Sequence, residues 1–168
     1  MVLFSFTVKV ENQAEAQPVN TKGLMRATLA AGWFWGVEAA LRKVHGVKYT
    51  TVGYTGGQDD DPDYNKVCGG KTGHAEAVNV FYDPKLISYK ELLKQFFRLH
   101  RPYYDASRMK GGQYRSAIFY QNEEEAKIAK EVKREAEKES GKTLYTQIAP
   151  VKTFYRAEEY HQNYYGKN

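Results

Sequence analysis

Apolar positions along the chain change period several times, and each change marks an element. Residues 24–31 (LMRATLAA) form an apolar run of strand length. Residues 34–45 then place Val37, Ala40, Leu41 and Val44 at helical spacing, which predicts a helix closed by Gly46. Residues 47–55 are rich in β-branched and aromatic side chains and predict a strand; 74–83 (HAEAVNVFYD) predict another. Ser88 and Glu91 form a capping box ahead of Leu92, Leu93, Phe96, Phe97 and Leu99, so a helix runs through them. Strand 114–120, a long charged helix over 122–140 ended by Gly141, and a last strand over 143–148 complete the chain, with residues 1–22 an extended arm. This order is neither strictly alternating nor segregated. It predicts a single α+β domain over 1–168, a sheet with helices packed on it.

Two loops are longer than connection requires. Residues 56–73 carry at most one turn of helix, around 64–68, and residues 100–113 contain Pro102, Gly111 and Gly112. Loops of this length inside a domain usually serve a site. The junction Gly32-Trp33-Phe34-Trp35-Gly36 is a tight strand-to-helix turn that exposes free N–H groups and the positive end of a helix dipole. Such a place suits an anion or an activated nucleophile, yet position 33 carries an indole.

Composition narrows the chemistry. Cys68 is the only cysteine, which excludes an internal disulfide and a two-thiol redox cycle within the chain. The net charge of +5 comes from dispersed Lys and Arg, mixed with Glu over 123–139, so a solvated helix face explains it better than nucleic-acid binding. No apolar run approaches the ~20 residues that span a bilayer, and no basic n-region precedes the apolar start. A cytoplasmic monomer that engages neither nucleic acid nor membrane is expected. Fourteen tyrosines and eight phenylalanines, many beside glycines or charges, suggest that some line a small-molecule pocket.

Three groups of residues are candidates. Glu76 sits among apolar strand residues; if buried, its pKa rises and it becomes a general acid, whereas alternation alone also permits an exposed position. Tyr64 and Tyr114, in or beside the two loops, are phenols able to donate to a substrate oxygen, with packing the simpler role for each alone. Trp33, Phe34 and Trp35 offer an apolar cage, or core packing. The four histidines lack metal-binding spacing, and 69–73 (GGKTG) lacks the register of a phosphate loop, so no metal or cofactor is expected.

In their order and intervals, AAGWFWGVEAA, VGYTGG, DYNKVCGGKTGHAEAV, ISYKELL, GGQYRSAIFY and FYRAEEYHQNY resemble the A-type peptide methionine-S-sulfoxide reductase family, from about residue 24 to 168. The resemblance implies a two-layer α/β sandwich with a ferredoxin-like core and long surface coils. It also implies a Gly-Cys-Phe-Trp-Gly turn whose Cys attacks the sulfoxide sulfur, with Phe34 and Trp35 holding the substrate methyl group. Glu76 would give a proton to the departing oxygen, and Tyr64 and Tyr114 would hydrogen-bond it.

Trp33 stands where the family has its nucleophile, and no cysteine-bearing tail follows Tyr165. Cys68 falls at a position often Cys in relatives and not the attacking one, which assigns it to packing. The second loop is short, with Met109 and Lys110 where relatives carry Asp, and with Tyr103-Tyr104 in place of a Thr-rich segment. These departures favour a divergent member that has left redox chemistry for non-redox acid/base catalysis, an isomerisation, cyclisation or dehydration, with thioredoxin not a partner. The alternatives are an ordinary reductase whose position 33 is natively Cys or selenocysteine, and a pseudoenzyme that binds a sulfoxide or a metabolite without turning it over.

Overall fold

The computed structural model describes residues 20–103 and 112–168. The expected N-terminal arm, apart from its last three residues, and the altered positions Tyr104, Met109 and Lys110 lie outside the described residues. The elements follow as β1 (Met25–Ala31), α1 (Phe34–Leu41), β2 (Val47–Thr55), α2 (Tyr64–Cys68), β3 (Ala75–Tyr82), α3 (Tyr89–Leu99), β4 (Ser116–Tyr120), α4 (Glu123–Ser140), β5 (Gln147–Pro150), β6 (Tyr155–Arg156), a 3-10 turn over Glu159–His161 and α5 (Tyr164–Lys167). Six strands make one sheet in the order β5-β4-β1-β3-β2-β6. The four central strands are antiparallel and, with α1 and α3, give the β-α-β-β-α-β arrangement of a ferredoxin-like core.

The sheet is buried on both faces. Leu29, Val52, Tyr54, Val78, Val80 and Ile118 pack under Phe34, Leu41, Leu92, Leu93 and Phe96 of the helices. On the reverse face Ala30, Ala75, Ala77, Ala117 and Phe119 lie under Val151 and Phe154. All of β3 is therefore buried, and its period of two puts Glu76 on the helix side with Val78 and Val80. Phe96 is 0% exposed, so Phe96→Ala is expected to cost about 3–5 kcal/mol of unfolding free energy in urea. Leu99→Ala, at a position 38% exposed, should cost far less.

Three boundaries differ from the sequence expectation. Helix α1 stops at Leu41 because the next N–H groups shorten their reach: Lys43 donates to Ala40 O at 3.2 Å and Val44 to Leu41 O at 3.1 Å, tightening into the turn at Gly46. Tyr114 and Arg115 are a turn, not strand, since the Arg115 N–H folds back to Gly112 O at 3.1 Å. The last long strand begins at Gln147 instead of 143, because Leu144 N–H goes to Glu137 Oε1 and Tyr145 N–H to Pro102 O, both at 3.0 Å. It pairs in parallel with β4, a pairing that local periodicity does not reveal.

Candidate active site

Trp33 is the N-cap of α1 and makes no side-chain cap, leaving the first N–H groups of the helix without a local acceptor. A residue from β3 supplies one. Glu76 Oε2 accepts the Phe34 N–H at 3.0 Å, so a carboxylate from the neighbouring strand caps the helix. Gly32, at φ 110°, takes the left-handed conformation that turns the chain into this position. Glu76 is 0% exposed, and among the described residues its Oε1 has no hydrogen-bond partner. Burial pushes its pKa up to about 7, against the opposing pull of the Phe34 N–H and the nearby Gln113 amide. The exposed alternative for Glu76 is thus excluded, and a protonated carboxyl group is available near neutral pH.

The same burial makes Glu76 a cost to the fold at high pH. Its folded pKa lies above the ordinary 4.5, so the penalty is absent below that value, grows as the unfolded chain ionises first, and is complete above about 7. Glu76→Gln keeps an acceptor for Phe34 and is expected to raise stability by roughly 2–3 kcal/mol at high pH and by little at low pH. Urea unfolding of both proteins on either side of this window measures it.

Both phenols lie within electrostatic reach of Glu76. Tyr64 opens α2, where Asp63 Oδ1 accepts the Lys66 N–H at 2.9 Å and Glu158 Oε1 accepts the Tyr64 N–H at 2.9 Å. Burial, then the hydrogen bond with Cys68, then Tyr114 and Glu76 push the Tyr64 phenol up to about 12. Tyr114 is 44% exposed on its turn, and burial followed by Glu76 and Cys68 raises its pKa. Both stay protonated as donors. Gln113 joins the group: its carbonyl accepts the Glu76 N–H at 2.8 Å and its amide lies 3.7 Å from Cys68 Sγ. Cys68 does not pack in the core. It is exposed, because the short α2 buries only Val67.

The three adjacent aromatics part company. Phe34 is 0% exposed, beneath the site against Tyr54 and His161. Trp35 is half-buried and stacks on Tyr164 with centroids 3.5 Å apart and planes at 5°. Trp33 is 49% exposed, its ring 4.7 Å from that of Trp35. With Ala31, Val37, Phe96 and Leu99 it lines a cavity of about 190 Å³ whose walls include none of Glu76, Tyr64 and Tyr114.

A polar group from the C-terminal segment completes the site. Trp35 Nε1 donates to His161 Nδ1 at 2.8 Å, Tyr54 OH donates to Glu158 Oε2 at 2.8 Å, and Glu38, also buried, accepts the Asn163 N–H at 2.8 Å. The motif around these residues is visible in the sequence, but partners more than a hundred positions apart leave no local period that would assign them roles. Among the described residues no group of three or more His, Cys, Asp or Glu is placed to hold a metal ion, and no helix is long and apolar enough to cross a membrane.

Comparison with known proteins agrees with the α/β fold. A family model described as peptide methionine sulfoxide reductase matches residues 25–168. The peptide methionine sulfoxide reductase MsrA of Methanosarcina acetivorans is 49% identical over 150 residues, 87% of this chain and 80% of the relative. Among solved structures, Mxr1 from Saccharomyces cerevisiae in reduced form superposes with a TM-score of 0.80 at 39% identity, covering 88% of this chain and 87% of its own. Mxr1 in complex with Trx2 superposes at 0.63 and 29% identity, covering 89% and 91%.

Proposed function

The chain belongs to the peptide methionine sulfoxide reductase family, and we propose that it reduces methionine-S-sulfoxide with a thiol or selenol at position 33, where this sequence carries Trp33. The observation that carries this reading is Glu76: a fully buried acid with a pKa of about 7, an unengaged Oε1, and two protonated phenols in its field. That is the equipment needed to protonate an oxygen as it leaves sulfur. The nucleophile at position 33 attacks the sulfur and the S–O bond breaks. Oxygen passes to the nucleophile as a sulfenic or selenenic acid, Glu76 supplies the proton, and the sulfide departs. Two equivalents of an external thiol then restore the nucleophile, forming one disulfide and one water.

Trp33 itself supports the substitution. It sits at the N-cap without a side-chain hydrogen bond and remains half exposed, so no buried pocket encloses the indole. The tryptophan codon differs from the cysteine codons and from UGA, which encodes selenocysteine, only in its third base. The isomerase, cyclase and lyase readings gain no support, since the matching family model and the Methanosarcina acetivorans relative are both named as peptide methionine sulfoxide reductase. A chalcogen at position 33 removes one of the two grounds for the expectation against thioredoxin and leaves the other, the missing resolving cysteine; the relative Mxr1 was solved in complex with Trx2. Mass spectrometry of position 33 in the protein from its own cells tests the reading. Cysteine or selenocysteine is expected; tryptophan there, in cells that reduce methionine-S-sulfoxide only through another protein, would overturn it.

A further inference from the structure

Trp35 forms the apolar wall of the site, and its orientation depends on a ring nitrogen. An indole N–H can only donate, so His161 Nδ1, which receives it at 2.8 Å, is unprotonated and the neutral ring carries its proton on Nε2. That Nε2 is buried without a hydrogen-bond partner. The nearest carboxylate oxygen is Glu158 Oε2, 3.5 Å away. Glu158 is itself fixed, because Oε2 accepts Tyr54 OH at 2.8 Å and Oε1 accepts the Tyr64 N–H at 2.9 Å. With the other tautomer, a ring N–H would meet the indole N–H while a lone pair faced a carboxylate.

We propose that Glu158 is a positioning residue of this site: its carboxylate holds His161 in the Nε2-protonated tautomer that orients Trp35, and its second oxygen ties Tyr64 to the same anchor. One side chain thereby sets the spacing between the apolar wall and the phenol. It touches no substrate and acts through His161 and Tyr64. The kinetic consequence rests on the reductase reading above, whereas the tautomer does not.

The test uses the full chain with Trp33→Cys, in which Trp35 is the only tryptophan and gives a single indole N–H resonance. Nitrogen NMR of this protein is expected to show His161 protonated at Nε2; protonation at Nδ1 would overturn the proposal without any change at Glu158. Adding Glu158→Gln sets an amide donor among the groups around the carboxylate, so the Trp35 N–H resonance should move upfield as its acceptor is lost. KM for a methionine-S-sulfoxide substrate should rise about tenfold, the effect of one net hydrogen bond, with kcat little changed. An unmoved resonance and KM in the Gln variant would reduce Glu158 to a packing role. If the Trp33→Cys protein reduces nothing, the function proposed above fails, and the two NMR measurements still decide this inference.

Discussion

Glu76→Gln in a chain bearing cysteine at position 33 should lower kcat for sulfoxide reduction by about 100- to 10,000-fold, with KM changing little. In the proposed mechanism the loss is in the rate because the acid would act on the oxygen only as the S–O bond breaks, whereas Tyr64 and Tyr114 would still hold that oxygen in the ground state. Gln preserves the contact with the Phe34 N–H, so the turn that carries position 33 stays in place. The pH profile separates this from a general disturbance. Glu76 works protonated, and burial sets its pKa at about 7, so kcat/KM should fall about tenfold per unit as pH rises beyond that value. The opposite limb, at low pH, belongs to ionisation of the attacking thiol. The Gln variant should lose the high-pH limb and keep the other. A profile of unchanged shape would remove Glu76 from the chemistry.

Replacing Trp33 should have the other large effect. The chain as written has no group at position 33 able to form a sulfenic acid, and Cys68 lies at the end of α2, not at the N-terminus of α1. With dithiothreitol as reductant it should reduce no methionine-S-sulfoxide above background. Trp33→Cys places a thiol at the start of α1, where the dipole and free N–H groups favour the thiolate. The expected gain is at least about a thousandfold over the chain as written, modest beside the accelerations that enzymes reach. Trp33→Ala removes the indole without adding a thiol and should stay inactive. Activity in the alanine variant would mean that Trp33 merely covers a nucleophile located elsewhere.

The limits of the sequence show in particular residues. Strand 47–55 was legible to the residue because β-branched and aromatic side chains fill every position but Lys48 and Gly53, and the caps at Ser88 and Gly141 fall where their chemistry places them. Glu76 was legible as a candidate, since a carboxylate among alanines in a strand is conspicuous. Its burial was not, because β3 is covered on both faces and loses the alternation that would have told inside from outside. Its partner Phe34 N–H lies 42 positions away and is a backbone group, invisible to any pattern of side chains. Cys68 was misjudged because its packing role came from the family position alone: Val67 is buried, but a five-residue helix on the surface turns the next side chain outward. Glu158 and His161 act on residues fixed only by the fold, Tyr54, Tyr64 and Trp35.

A single-turnover experiment addresses the central claim, that this is a sulfoxide reductase site complete but for its nucleophile. The Trp33→Cys protein, without reductant, is mixed with the separate S and R epimers of a methionine sulfoxide peptide. The account predicts about one equivalent of methionine per chain from the S epimer, with a sulfenic acid trapped at position 33, and none from R. A folded protein that yields no methionine from the S epimer, or one that leaves the sulfenic acid on Cys68, would contradict it.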